Sequence, residues 1–165
     1  MSTTLGERVI EAVAALLESV RIVDGWLTES GSDVRREEVG VEIADGSAWI
    51  STINTRELDL SPPSNAPVVR AVRRFTLSHG VQIDTYARLQ DGDRPGSLIH
   101  RIAADHRRVI ATDSGALSDP EGRLGVIELV STEPIREGLG GGVIGVRTQI
   151  NITHIEAWGD PSQAL

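Results

Sequence analysis

The stretch Arg73-Arg74-Phe75-Thr76-Leu77-Ser78-His79-Gly80-Val81-Gln82-Ile83-Asp84-Thr85-Tyr86-Ala87 decides the fold. Phe75, Leu77, Val81, Ile83 and Ala87 share one parity, while Arg74, Thr76, Gly80, Gln82 and Asp84 fall on the other. That is the two-residue period of a strand with one buried face. The run is long enough to lie centrally in a sheet, so the rest of the chain has to supply its neighbours and a cover.

On the N-terminal side, Thr4 followed by Glu7 has capping-box spacing. Leu5, Val9, Val13, Leu16, Leu17 and Val20 then recur at helical intervals, which predicts an amphipathic helix over residues 4–20. Val34 to Ile43 alternates as a half-buried strand. Asp45-Gly46 has hairpin-turn chemistry, so Ala48 to Ile53 is expected to return antiparallel to it, with Ala48, Ile50, Leu58 and Leu60 as apolar positions. Pro62, Pro63 and Pro67 stand among Ser and Asn, so residues 54–70 read as a long mobile loop.

On the C-terminal side, Asp91-Gly92-Asp93 and Pro95-Gly96 break the chain before a second amphipathic helix, from about Ser97 to Thr112. Asp119-Pro120-Glu121-Gly122 is a turn, and Leu124 to Ser131 a short apolar strand. Gly138, Gly140, Gly141 and Gly142 make a flexible apex within a second mobile loop, 132–142. A last strand runs from Val143 to about Trp158 and Asp160-Pro161 ends it. The expectation is one domain over 1–165 of the α+β class: a two-layer α/β sandwich, mainly antiparallel, with two helices packed on one face of the sheet.

The composition narrows the chemistry. In 165 residues there is no cysteine, which removes disulfides, thiolate metal sites and cysteine nucleophiles. All 16 cations are arginines, and the net charge of −8 opposes tight, sequence-independent gripping of a nucleic-acid backbone. The opening residues lack a cationic segment, and Glu7, Arg8, Glu11, Glu18 and Arg21 interrupt the apolar stretch, so neither export nor membrane spanning is expected.

No catalytic, cofactor or metal residues are expected. His100 and His106 are six apart on the second helix, about 120° around its axis, so they do not form a helical metal pair. His106 falls on the apolar face and reads as a hydrogen-bonded core residue. No serine stands in a Gly-x-Ser-x-Gly elbow. Glu37-Glu38 are adjacent on an expected strand and point to opposite faces, the wrong arrangement for a carboxylate pair sharing one bond. The run Gly138 to Gly142 precedes a strand, not a helix, and so is a hairpin tip and not a phosphate cradle. Arg35-Arg36, Arg73-Arg74 and Arg107-Arg108 have acids nearby and read as ion-paired surface. A site assembled from His79, Asp84 and His154 is the enzyme-class alternative.

Several of these pieces carry a resemblance: the helix Leu5 to Val20, the strand entry Val34-Arg35-Arg36, the long strand Arg73 to Ile83, the helix Leu98 to Ile110, and the closing Thr148-Gln149-Ile150-Asn151-Ile152 leading to Asp160-Pro161. In order and spacing, over nearly the whole chain, they resemble the tail-terminator, or tail-completion, proteins of long-tailed phages. The resemblance implies a structural protein, not an enzyme, without a cofactor. It implies a homohexameric ring that caps the major tail tube protein, ends its polymerisation, and joins the tail to the head through a head-completion or stopper protein. Viral DNA would pass through the lumen without specific binding, no membrane would be involved, and the place would be the neck end of the virion tail, with the host cytoplasm during assembly. The rival within this class is a stopper or neck protein of the head-tail connector. Arg56, Glu57, Asp59, Arg136 and Glu137, on the two expected loops, are the candidate ring or tube contacts.

Overall fold

In a computed structural model, the structure describes residues 4–37, 48–61, 74–111, 115–135, 141–157 and 160–164. The central strand of the sequence reading is β3, Arg74–Arg88. It is flanked antiparallel by β2, Trp49–Ser61, and β6, Val143–Ala157. β6 pairs onward with β5, Gly122–Ile135, and β5 with β4, Ala116–Asp119; both pairings are antiparallel. A short β1, Val34–Arg36, lies on the far side of β2, and β7, Asp160–Ala164, adds to the end of β6. Two helices complete an α+β chain with a mainly antiparallel sheet: α1, Leu5–Glu18, and α2, Pro95–Ile110. Among the described residues no helix is long and apolar enough to cross a membrane.

Helix α1 begins where the capping box places it, with the Thr4 hydroxyl accepting from the Glu7 amide and the Glu7 carboxylate accepting from the Thr4 amide. Its apolar stripe of Leu5, Val9, Val13 and Leu17 packs into a core with Ile53, Val81, Ile83, Ile150 and Ile152. The same helix touches both β1 and β4, the two ends of the strand order, so the sheet curls around it. Ion pairs hold each flank. Arg8 forms a bidentate pair with Asp119 beside β4, at 2.7 and 2.9 Å, and Arg36 of β1 reaches Glu11 and Glu18. Past the helix, Gly31 donates its amide to the Val20 carbonyl. A Cβ there would stand 2.3 Å from the Leu17 carbonyl oxygen, so only glycine allows this approach.

Several expectations are corrected. β1 and β2 are parallel, not a hairpin. Glu37 leaves β1 at φ 53°, and the connection from there to Ala48 is about a dozen residues, the length a parallel crossover needs. Asp45-Gly46 and residues 38–43 of the expected strand lie outside the described residues. Residues 54–61 are not loop: they extend β2, paired with Thr76 to Val81 of β3, because their apolar positions find a partner once the register shifts between Thr55 and Glu57. Residues 132–135 likewise continue β5, and the remainder of both expected loops falls outside the described residues, apart from the turn at Gly141–Gly142 that leads into β6. The chain after Asp160 adds β7 to the sheet, and Ala116–Asp119 forms β4 across the expected turn.

Helix α2 is pinned by a buried polar chain. The Ser51 hydroxyl donates to the Ser30 carbonyl at 2.7 Å, which commits its only hydrogen, so Thr85 must donate to Ser51 at 2.7 Å. Thr85 then accepts from His106 Nε2–H at 2.9 Å, and His106 Nδ1 accepts from the Thr148 hydroxyl at 2.8 Å. The ring is neutral and fully bonded, and burial pushes its pKa down to about 4. Thus His106 is the core residue that its place on the apolar face predicts.

Replacing His106 with Ala should cost about 3–5 kcal/mol, from the cavity and the two orphaned hydroxyls, measured by urea denaturation. Because the folded pKa lies below the unfolded value of about 6.5, this group's stabilisation is complete above that pH. It falls by about 3 kcal/mol as pH drops toward 4, a slope the variant should lack.

Candidate functional site

The concave feature with convergent polar groups lies where the start of α1 meets β2 and β3. It is a groove of about 410 Å³ lined by Ile10, Leu58 and Leu77 on its apolar side and by Glu7, Glu37, Thr55 and His79 among its polar groups. The one-residue bulge at Arg56 builds it. Thr55 pairs with Val81 but Leu58 pairs with His79, so the extra residue turns Leu58 toward the groove and Glu57 away from it.

Hydrogen counting fixes the chemistry of this groove. Glu37 Oε1 accepts from both the amide and the hydroxyl of Thr55, at 3.1 and 2.8 Å. With its hydrogen spent, Thr55 Oγ1 accepts from His79 Nε2–H at 3.1 Å. His79 Nδ1 is therefore an unprotonated lone pair, buried, with no hydrogen-bond partner among the described residues. Burial, and then the neighbouring His154, push the His79 pKa down. A histidine acting as base toward a hydroxyl must aim a lone pair at it, whereas here the Nε2–H donates to Thr55. The groove can hold a neutral imidazole and a carboxylate in fixed orientation; it does not pair a nucleophile with its base.

At its centre the opposite face of the sheet is polar. Arg147 forms a bidentate pair with Asp84, at 2.9 Å for both contacts, and Gln82 also donates to Asp84. Arg56 extends over Gly80 toward Gln149 Oε1, 3.4 Å away. Asp84 thus faces away from His79 and His154, so the three residues of the enzyme-class alternative do not form one site. His100 is exposed while His106 is buried. Of the contact candidates, Arg56, Glu57 and Asp59 are exposed on strand β2 instead of a loop, and Arg136 and Glu137 lie outside the described residues. Arg35-Arg36 is ion-paired as expected, with Asp33 and with α1; Arg73-Arg74 lies outside the residues whose side chains are described. Arg107 departs from the ion-paired expectation, taking part in no ion pair among the described residues, while Arg108 lies over the Trp26 ring at 4.3 Å and donates to the Gly25 carbonyl.

Sequence reasoning missed the Glu37–Thr55–His79 chain, because its members are far apart in sequence and meet only through the parallel β1–β2 pairing. No local motif announces it. No protein-family model matches this chain, and no curated protein matches it.

Replacing Thr55 with Val removes the bridge between Glu37 and His79 without changing shape. We expect a stability loss of about 1–2 kcal/mol. Nitrogen NMR of His79 should show the Nε2–H tautomer in the parent and a mixture of tautomers in the variant; unchanged tautomers would contradict the hydrogen assignment.

Proposed function

We propose that this chain is a structural component of a long-tailed phage, a tail terminator whose ring caps the tail tube, ends its polymerisation and joins tail to head while DNA passes. The observation that carries the reading is what the molecule leaves unspent at its surface. The interior hydroxyls and His106 are bonded to one another, whereas Val23, Leu58, Val126 and Val130 stand 84%, 59%, 46% and 48% exposed on an acidic chain. Exposed aliphatic side chains serve contact, not chemistry. The order of α1, β1, long β3, α2 and closing β6 is the order on which the resemblance to tail terminators rests.

The finer fold, a two-layer sandwich with both helices on one face, belongs to this proposal. In its support, α1 and the end of α2 share one core with Ile53, Val81, Ile83, Ile150 and Ile152. The net charge supports the lumen: acidic walls repel phosphate within a Debye length of about 8 Å, so DNA slides without sticking. The place follows from the role, at the neck end of the virion tail.

Electron microscopy of particles made without this chain tests the reading. Overlong tubes are the expected outcome; normal tubes on leaking heads would instead assign a stopper in the connector. Repulsion between acidic copies should also keep the dilute free chain monomeric at low salt, with larger species as salt screens it. Light scattering that found one and the same ring at low and high salt would contradict this.

A further inference from the structure

Two exposed patches lie on opposite sides of the molecule and differ in charge. The first is on the sheet face turned away from the helices. Val126 pairs with Thr153 there, on the parity opposite to the buried Ile127–Ile152 pair, and Ile155 continues that face. The strand then bulges between Leu129 and Ser131, which leaves Val130 exposed as the extra residue. The charges between Val126 and Ile135 are Glu128 and Glu133, both exposed; Glu133 pairs opposite Arg147 of β6, so Glu128 is the acid beside Val126 and Val130, with Arg123 beyond Val126 toward the start of the strand. Past Val126 this strand has no second neighbour among the described residues, because β4 pairs only with Gly122 to Val126.

The second patch is on the helical side. Ile22, Val23 and Leu27 stand 55%, 84% and 52% exposed, around the 3-10 turn Ile22–Asp24. This segment is held on α2: the Leu27 amide donates to the Asp105 carboxylate, and Arg108 donates to the Gly25 carbonyl while covering Trp26. Arg101, one turn before Asp105 on the same side of the helix, is exposed, and among the described residues it takes part in no ion pair. Asp24 is the exposed acid within the patch. Arg101 thus stands as an exposed cation beside aliphatic side chains on a chain of net charge −8.

We propose that these patches are the two halves of one head-to-tail contact between copies, with Val126 and Val130 of one copy set against Ile22, Val23 and Leu27 of the next. Glu128 faces Arg101 across it. Complementary charge selects this pairing over the two symmetric ones, since each patch placed against its own copy sets like charges together. A contact between different surfaces on opposite sides repeats from copy to copy and either closes into a ring or runs on as a filament. The contact rests on the tail-terminator reading only for its closure.

The sequence is free of cysteine, so single cysteines report the contact directly. Val23→Cys and Val126→Cys chains, mixed at a concentration well above that at which the dilute chain is monomeric and trapped with a short bismaleimide, should give the mixed dimer at least about tenfold over either like-with-like dimer. Adding Glu128→Arg to the Val126→Cys chain should lower that yield severalfold, and Arg101→Glu in its Val23→Cys partner should restore it. Equal yields of the three dimers, dominance of a like-with-like product, or no product at all would overturn the contact. A chain carrying both cysteines separates this inference from the ring: a ladder ending at a closed species supports both. A ladder without end keeps the contact and overturns the ring.

Discussion

The buried chain of hydroxyls running from the Ser30 carbonyl through Ser51, Thr85 and His106 to Thr148 is the constraint on which the rest of the structure depends. It ties β2, β3, α2 and β6 together at one depth, and the hydroxyl hydrogens of Ser51 and Thr85 each have one place to go. A polar group buried without a partner costs about 1–3 kcal/mol, so sliding α2 by a turn would orphan several groups at once. Hydrophobic contact alone would tolerate such a slide; this network does not. With α2 fixed, Asp105 and Arg108 have fixed positions, and with them the segment from Ile22 to Ser30.

A second constraint comes from the curl of the sheet. Helix α1 touches strands at both ends of the order, and its ion pairs with Asp119 on one side and Arg36 on the other hold the flanks at fixed distances. The pairs act as spacers more than as stabilisers: the Arg36 pairs, which are about a third exposed or more, carry little energy, while Arg8–Asp119 is largely shielded and bidentate. Beyond Val126, β5 has an unpaired edge among the described residues, and on the outer face beside it Val126 and Ile155 stand exposed.

What could be read in the sequence was what is local. The Thr4–Glu7 capping box, the alternation through β3, the apolar face of α2 and the core place of His106 all depend on residues within a few positions of one another. The parallel pairing of β1 with β2 could not be read, because Asp45-Gly46 carries hairpin chemistry and nothing nearby opposes it. Nor could the bulge at Arg56: a single extra residue inverts the parity of Leu58, and period-two patterns are blind to where an inversion falls. The groove of Glu37, Thr55 and His79 depends on both, so it was hidden twice. β7 contains the Asp160-Pro161 pair that reads as an ending, and only its pairing with the end of β6 makes it a strand.

A molecule built this way spends its polar groups on holding shape and leaves its aliphatic ones for contact, which is the reasoning behind a ring that works by copy number. Native mass spectrometry of the chain incubated with growing tail tubes puts this to the most direct test. The account predicts one discrete closed assembly, a whole multiple of the 17.7 kDa subunit, on tube ends that have stopped lengthening. Chains that stay single while the tubes continue to grow would contradict it.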